Sequence, residues 1–194
     1  LWGFHADDRP SNVPPSAPGE IQKWVARRPT MDDLHFDGDK LRSANPALQL
    51  DFGAYVKSYG VDRAIDELRR HGVGNAIINA GGDLRAIGRK GDHPWRIGIR
   101  DPRGPGILAS VEIQGDESVF TSGDYERFFM YQGKRYHHII DPRSGYPPDG
   151  AMSATVIYPG GGMGGGASTA LMVAGPKDWL AVVKTSRARN KIRH

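Results

Sequence analysis

The sequence predicts an α+β domain in which helices pack against a mostly antiparallel sheet. Helical patterns come first, a series of short apolar strands separated by turn residues follows, and helical patterns return near the end. Glycine and proline are abundant, with 26 and 14 in 194 residues, which is typical of many turns and unlike a helical bundle. No apolar run reaches the roughly 18–20 residues of a membrane span.

Two helices and a hairpin are expected in the first part of the chain. The first helix covers 19–28, and a stronger pattern over 53–71 ends at Gly72. Asp37-Gly38 marks the turn between two short strands at 34–36 and 41–43. The apolar face of the long helix consists of Val61, Ala64, Ile65 and Leu68.

A run of short strands is expected after Asn75. Gln132-Gly133 joins two of them in a tight hairpin. The glycine run at 160–166 indicates a mobile loop, a helix follows at 167–174, and Gly175-Pro176 begins another. The candidate strands are 76–79, 84–87, 95–99, 108–113, 119–121, 128–131, 136–140 and 154–158.

Charge and cysteine content exclude several classes of protein. The formal net charge is +4, but residues 184–194 carry five basic residues and no acid, which leaves 4 − 5 = −1 for the rest. A nucleic-acid partner is therefore not expected, because a reader of nucleic acid carries its basic face on the folded body. The tail itself is expected to be a solvated helix or a frayed end. Without cysteine, the chain has no disulfide, thiol nucleophile or thiolate metal site.

Two segments, 50–57 and 79–83, allow both a structural and a functional interpretation. Gly81 and Gly82 suit a hairpin with positive φ, and they also suit close approach of a ligand to the backbone, with Asp83 beside it. Asp51 is placed to cap the long helix, while Lys57 is placed to reach an anion at its N-terminus.

The two histidines at the end of a predicted strand differ in their expected direction. His137 and His138 are adjacent, so their side chains should point to opposite faces, and a single metal ion should not take both. We expect His138 to face the functional cleft and His137 to point away. No Gly-x-Ser-x-Gly, Walker or His-Glu-x-x-His motif supports a hydrolase, P-loop or zincin hypothesis.

These segments, taken in order, resemble the FAD:protein FMN transferases of the ApbE family. The resemblance rests on several segments that follow the family's order and spacing, and it runs from Leu1 to about Gly175. It implies an ApbE-like, T-fold-like architecture, filling 1–194 as a single flavin-transferase domain that is a fragment of the family's full length. The segments are 1–4, 50–57, 61–64, 79–83, 121–125, 138–142 and 168–170.

The resemblance implies a flavoprotein transferase that moves the FMN part of FAD to a Thr or Ser hydroxyl of a target protein, releasing AMP with the help of Mg²⁺. It assigns the catalytic role to His138. It assigns magnesium binding to the Ala54 carbonyl, Ser168 and Thr169. It assigns flavin binding to Asp51, Lys57, Gly81, Gly82, Asp83, Ser122, Tyr125 and Ile140.

The chain departs from the family's pattern at one metal position. The pattern has an aspartate four residues before the threonine, where this chain has Gly165. Two alternatives therefore stay open beside the transferase hypothesis. One is a flavin-binding or flavin-trafficking module without transfer, and the other is an FAD pyrophosphatase in which water replaces the hydroxyl.

Location and partners follow from the resemblance alone. It implies a periplasmic protein, attached to the inner membrane as a lipoprotein only through an N-terminal anchor preceding Leu1. The implied partners are FAD and a target protein to be flavinylated, such as a respiratory or redox subunit.

Overall fold

The computed structural model describes residues 1–4, 13–162 and 164–189, with side chains in the last helix described up to residue 185. The chain divides into two compact units. Unit 1 comprises Leu1–Asp51 and Arg127–Pro147, and unit 2 comprises Phe52–Glu126 and Pro148–His194.

Unit 1 combines one helix with two separate antiparallel hairpins. In the second hairpin, Gln132 and Gly133 have φ of 48° and 76°, which confirms the tight turn predicted there. The hairpin at Asp37-Gly38 is also confirmed. The elements are α1 (Pro18–Arg27), a 3₁₀ turn (Met31–Asp33), β1 (Leu34–Asp37), β2 (Lys40–Ser43), β8 (Phe128–Tyr131) and β9 (Lys134–His137).

The core of unit 1 is largely aromatic. Trp2, Ile21 and Phe129 are buried, and further tyrosine and phenylalanine rings pack around them. The indole Nε1 of Trp2 donates to the Gly145 carbonyl at 3.0 Å. Gly145 has φ of 76°, and a Cβ there would overlap Ile21, so α1 packs directly on this turn.

Unit 2 is built on a four-stranded antiparallel sheet in the order β10-β7-β4-β3, beside a two-stranded ribbon of β5 and β6. Helix α2 packs on β3 and β4, and α3 packs on β7 and β10. The elements are α2 (Gly53–Arg70), β3 (Ala76–Ala80), β4 (Asp83–Ile87), β5 (Trp95–Arg100), β6 (Ile107–Ile113), β7 (Glu117–Gly123), β10 (Ser153–Pro159) and α3 (Gly164–Arg189).

The core of unit 2 is aliphatic. Leu84, Ala86, Ile113 and Val119 form a buried cluster that joins the ribbon to the sheet. The apolar face predicted for the long helix is buried at Val61 and Ile65. The α+β class and its mostly antiparallel pairing are thereby confirmed.

The helix after the glycine run differs from its prediction at its start. It begins at Gly164 and not at 167, so the loop predicted over 164–166 is wrong. Close packing explains the difference, because a Cβ at Gly164 would overlap the ring of Phe120. The predicted restart at Gly175-Pro176 is confirmed as a break at Gly175, with φ of 65° and ψ of −171°.

Two further local features differ in position from their predictions. Phe52, and not Asp51, occupies the N-cap position of α2, and the Phe52 side chain makes no capping hydrogen bond. Strand β9 ends at His137, so His138 and Ile140 lie beyond the strand predicted to hold them.

Among the described residues, no helix is both long and apolar enough to cross a membrane. The basic tail continues α3 as far as Arg189. Its last residues, 190–194, lie outside the described residues.

Candidate functional site

Most of the predicted site residues belong to unit 2, and the contacts below join them there. Asp51, His138 and Ile140 belong to unit 1 and are described within that unit.

The β3–β4 turn is a hairpin that presents its backbone beside α2. Gly81 and Gly82 have φ of 61° and 97°, and the Gly82 N–H donates to Asn79 Oδ1 at 3.1 Å. A Cβ at Gly81 would lie 3.6 Å from Lys57 Nζ, so the ammonium group stands directly beside the turn. The structural interpretation, a turn requiring positive φ, is confirmed, and the turn also brings a cation and a bare backbone together.

Asp83 follows this turn and is half-buried. Its Oδ2 accepts a hydrogen bond from Ser58 Oγ at 2.9 Å. Burial raises the pKa of Asp83, while the Ser58 hydrogen bond and the charge of Lys57 oppose that rise. A carboxylate in such surroundings gains from a further positive charge placed beside it.

Hydroxyl groups from β7 and α3 meet next to the first turn of α3. Ser122 Oγ lies 2.8 Å from Ser168 Oγ and 3.2 Å from Thr169 Oγ1. Both α3 hydroxyls donate to the Gly165 carbonyl at 3.0 Å. Ser168 is 1% exposed, whereas Thr169 is exposed, so of the two α3 residues it is Thr169 that solvent reaches.

Gly165 links the hydroxyl groups to Asp83. A Cβ at Gly165 would lie 3.8 Å from Asp83 Oδ2 and 3.5 Å from Ser58 Oγ, both ordinary contact distances. The sequence shows no acid near position 165, but the fold brings Asp83 there from the β3–β4 turn. We call Ser58, Asp83, Ser122, Ser168 and Thr169, grouped around Gly165, the oxygen cluster.

Tyr125 lies just past the end of β7. Its ring packs where a side chain at Gly123 would stand, and the Arg100 guanidinium lies 5.1 Å from the ring centre. Burial raises the pKa of the Tyr125 phenol; the charge of Glu126 adds to the rise and that of Arg100 opposes it. The neighbouring Asp124 accepts a bidentate hydrogen bond from Arg103.

The two histidines of unit 1 differ in burial. His137 ends β9 and is 3% exposed, whereas His138 is half-buried. The N–H of His138 donates to the Arg127 carbonyl at 3.0 Å, and its ring Nδ1 lies 3.3 Å from the same oxygen. Strand alternation cannot explain the contrast, because His138 lies outside the strand.

The other predicted residues of unit 1 have different surroundings. Ile140 is half-buried and packs on the aromatic core, and Asp51 is exposed. Next to Ile140, the Arg143 hydrogen bonds lower the pKa of Asp141.

Sequence reasoning missed Ser58 and Arg85. Ser58 follows Lys57 in α2. The sequence signal that could have found it is a polar residue one helical turn before Asp62. Arg85 alternates with apolar residues in a strand, a position that gives no sign of a buried ion pair. No group of three or more His, Cys, Asp or Glu that could hold a metal ion occurs among the described residues.

The fold is similar to that of a class of known structures, the ApbE proteins. The ApbE protein of Thermotoga maritima matches with a TM-score of 0.84 and 34% identity, over 98% of this chain and 61% of that chain. The apo form of the flavinyl transferase ApbE of Pseudomonas stutzeri matches with a TM-score of 0.76 and 40% identity, over 96% and 57%.

The chain belongs to the ApbE family, whose family model matches residues 1–192. The FAD:protein FMN transferase of Rhodobacter capsulatus is 41% identical over 192 residues, which cover 99% of this chain and 36% of that protein. A protein of the same name from Klebsiella pneumoniae is 40% identical over 163 residues, covering 81% and 48%. The chain therefore spans between 36% and 61% of the length of these relatives.

Proposed function

We propose that this chain carries the flavin-transfer site of an FAD:protein FMN transferase. The hydroxyl oxygen of a target Ser or Thr forms a new bond to the FMN-side phosphorus of FAD. The bond from that phosphorus to the bridging oxygen breaks, and AMP leaves with the electron pair. The observation that carries this proposal is the oxygen cluster, in which Ser58 donates to Asp83 Oδ2 at 2.9 Å and a Cβ at Gly165, in the first turn of α3, would lie 3.8 Å from the same oxygen.

The residues of unit 2 have separate tasks in this proposal. Lys57, beside the turn at Gly81 and Gly82, binds the pyrophosphate, because a cation favours anionic oxygens and a turn without Cβ atoms lets them approach closely. Tyr125 and Ser122 border the flavin. Ser168 holds α3 to β7 through Ser122, since it is too buried to meet a ligand directly.

The oxygen cluster fits a weak magnesium site. Mg²⁺ prefers oxygen ligands, one or two carboxylates and phosphate oxygens among them. Asp83 and Thr169 would hold the ion, the Ala54 carbonyl would join them by the resemblance alone, and the substrate phosphates would complete its ligands. When bound, the ion neutralises charge that develops on the phosphoryl oxygens.

His138 belongs to unit 1, and its role as the general base that receives the proton of the attacking hydroxyl rests on the resemblance alone. Asp51 and Ile140 bind FAD by the resemblance alone. A periplasmic location and a lipoprotein anchor also rest on the resemblance, and fractionation of cells expressing the native gene tests them.

Gly165 supports a second candidate, a flavin-binding module without transfer. A glycine supplies no carboxylate where the family's pattern has one, and Asp83 is then the only acid in the oxygen cluster as described. Neutral ligands alone give Mg²⁺ little reason to shed its waters.

Incubation with FAD, Mg²⁺ and a Thr-containing acceptor peptide separates these functions. AMP together with covalently bound flavin on the peptide supports transfer. AMP together with free FMN indicates a pyrophosphatase, and FAD binding without AMP indicates the binding module. Asp83→Asn should lower AMP release by about 100-fold, while Asp178→Asn, an exposed acid on α3, should not change it. Equal rates for the two variants would contradict the assigned site.

A further inference from the structure

An ion-pair network centred on the buried Arg85 lies beside the oxygen cluster and has no task in the proposed transfer. Arg85 on β4 is 7% exposed. Its Nε and Nη2 donate to the two carboxylate oxygens of Asp116, and its Nη1 donates to Asp62 Oδ1, all at 2.8 Å. The guanidinium is therefore held on two sides, by the β6–β7 turn and by α2.

The connection between β10 and α3 is packed onto this network. The Gly160 N–H donates to the Asp116 carbonyl at 2.7 Å, and Ser118 Oγ donates to the Gly160 carbonyl at 2.6 Å. A Cβ at Gly161 would overlap Asp62 Oδ1 and Arg85 Nη1. Since those two atoms are hydrogen-bonded to each other, neither can move aside without breaking the ion pair.

The same connection leads into the first turn of α3. Gly164 lies under the ring of Phe120 with no room for a Cβ, and the Gly165 carbonyl accepts from Ser168 and Thr169. Thr169, whose Oγ1 lies 3.2 Å from Ser122 Oγ, thus belongs to a helix that begins three residues after Gly161, the glycine packed on Arg85.

We infer that Arg85 is a positioning residue: with Asp62 and Asp116 it fixes the glycine connection so that the first turn of α3 presents Thr169 to the oxygen cluster. This inference rests on the proposed function for its catalytic consequence. The ion pairs and the overlap at Gly161 hold whatever the chain does.

Energy alone does not account for a buried arginine here. The desolvation free energy of burying charged groups is about as large as their mutual attraction. Well-packed apolar residues would therefore often stabilise the same place equally well. What apolar residues cannot supply is the planar fork, which sets the direction of Asp62 and Asp116 at once. The network therefore adds a fixed geometry of the adjoining backbone.

Two variants test the inference, each with a matched control. Gly161→Ala adds a methyl group against the ion pair, and Gly166→Ala adds one in the same glycine run where no described atom lies within 4 Å. Arg85→Lys keeps the charge but loses the fork, and Arg69→Lys makes the same change on the exposed side of Asp116. Gly161→Ala keeps the test usable if Arg85→Lys does not fold.

The first measurement needs no substrate. NMR of the free protein follows the Thr169 methyl signal and the hydrogen exchange of the amides of Ser168 and Thr169, which are the first in α3 with intrahelical acceptors. Gly161→Ala and Arg85→Lys should shift the methyl signal and speed exchange by about tenfold or more, while both controls leave these signals unchanged. An unshifted Thr169 signal in Gly161→Ala would overturn the inference.

The second measurement is AMP release from FAD with Mg²⁺ in the full chain. A misplaced metal ligand affects the chemical step, so kcat should fall about tenfold or more while KM for FAD stays within about threefold. A shifted Thr169 signal with unchanged kcat would show a purely structural network and overturn the positioning role. If the unaltered protein releases no AMP, the proposed function fails, and NMR alone decides whether Arg85 fixes the turn.

Discussion

The two units of this chain are stabilised in different ways. Unit 1 packs aromatic rings around Trp2, with ring centres 5.1–6.5 Å apart. Unit 2 packs aliphatic side chains between a sheet and helices, and it also buries Arg85, Ser118, Asp124 and Ser168. In unit 1 only His137 is a buried polar side chain among the described residues.

This difference indicates where chemistry constrains the sequence. Aromatic packing stabilises a fold and makes no demand on charge. A buried polar group costs free energy unless it is hydrogen-bonded, so its presence needs a reason. Among the described residues, four of the five buried polar side chains belong to unit 2. Ser168 is part of the oxygen cluster and Arg85 is two residues from Asp83, which points to function as the reason.

The largest expected effect is the loss of stability of unit 1 when its aromatic core is disrupted. Trp2→Ala removes a buried ring that contacts Phe4, Phe129, Tyr136 and Tyr146, and should cost about 3–5 kcal/mol of the free energy of unfolding. Urea titration followed by NMR signals of β8–β9 and of β4–β7 measures each unit. Signals of β8–β9 should be lost first.

Trp179→Ala is the matched control, because the Trp179 side chain is 46% exposed on α3. It should change the free energy of unfolding by no more than about 0.5 kcal/mol. Equal losses from the two tryptophan variants would show that the aromatic core does not stabilise unit 1.

The second prediction separates the two histidines. His138→Ala should lower transfer by about 100-fold, about 2.7 kcal/mol, with little change in FAD affinity, because its proposed role lies in the chemical step. His137→Ala should act on stability, since its side chain is buried. Steady-state kinetics and thermal unfolding of both variants check this. Equal rate losses would contradict the assignment.

The third prediction compares how much stability each unit loses when the pH is lowered. Arg85 holds the pKa of Asp116 below its ordinary value of 3.8, and Arg143 does the same for Asp141 in unit 1. A lowered folded pKa gives stability that is present above the ordinary pKa and is lost as pH falls below it. Protonated Asp116 leaves Arg85 buried beside a weaker partner, whereas Arg143 is exposed to water.

Unit 2 should therefore lose more stability than unit 1 below about pH 4. Asp83 works in the opposite direction, because burial raises its pKa and protonation relieves that cost. Urea titrations from about pH 6 to about pH 2.5, read in each unit by NMR, measure the difference. Asp116→Asn should flatten the profile of unit 2, and an unchanged profile would show that another group sets it.

The sequence predicts the elements better than the site. Apolar periodicity located α2, and turn residues located the hairpins at Asp37-Gly38 and Gln132-Gly133, because both signals are local. The predicted start of α3 is wrong, because the glycine run gives no local signal for the packing of Gly164 under Phe120. The sequence does not predict that Asp83 lies near Gly165, because β4–β7 pairing and the packing of α3 on β7 bring together residues that are far apart in the chain.

The last prediction has the smallest expected effect and concerns the substitution Gly165→Asp, which adds an acid at the position where the family's pattern has one. A Cβ at Gly165 has ordinary contacts at 3.5–3.9 Å, so Gly165→Asp should fold without displacing Phe120. Without metal, the new carboxylate stands beside Asp83, and the two like charges should lower the melting temperature. With Mg²⁺, a second carboxylate ligand should tighten binding at least tenfold, about 1.4 kcal/mol, and transfer should rise.

Calorimetric Mg²⁺ titration and thermal unfolding with and without Mg²⁺ check this, with Gly166→Asp as the control one residue along. The expected signature is a sign change: Gly165→Asp is less stable than the unaltered protein without Mg²⁺ and more stable with it. Gly166 faces open space, so its variant should show no such reversal. Tight Mg²⁺ binding by the unaltered protein alone would mean that Asp83 and its neutral neighbours suffice, and unit 2 would then need no acid at position 165.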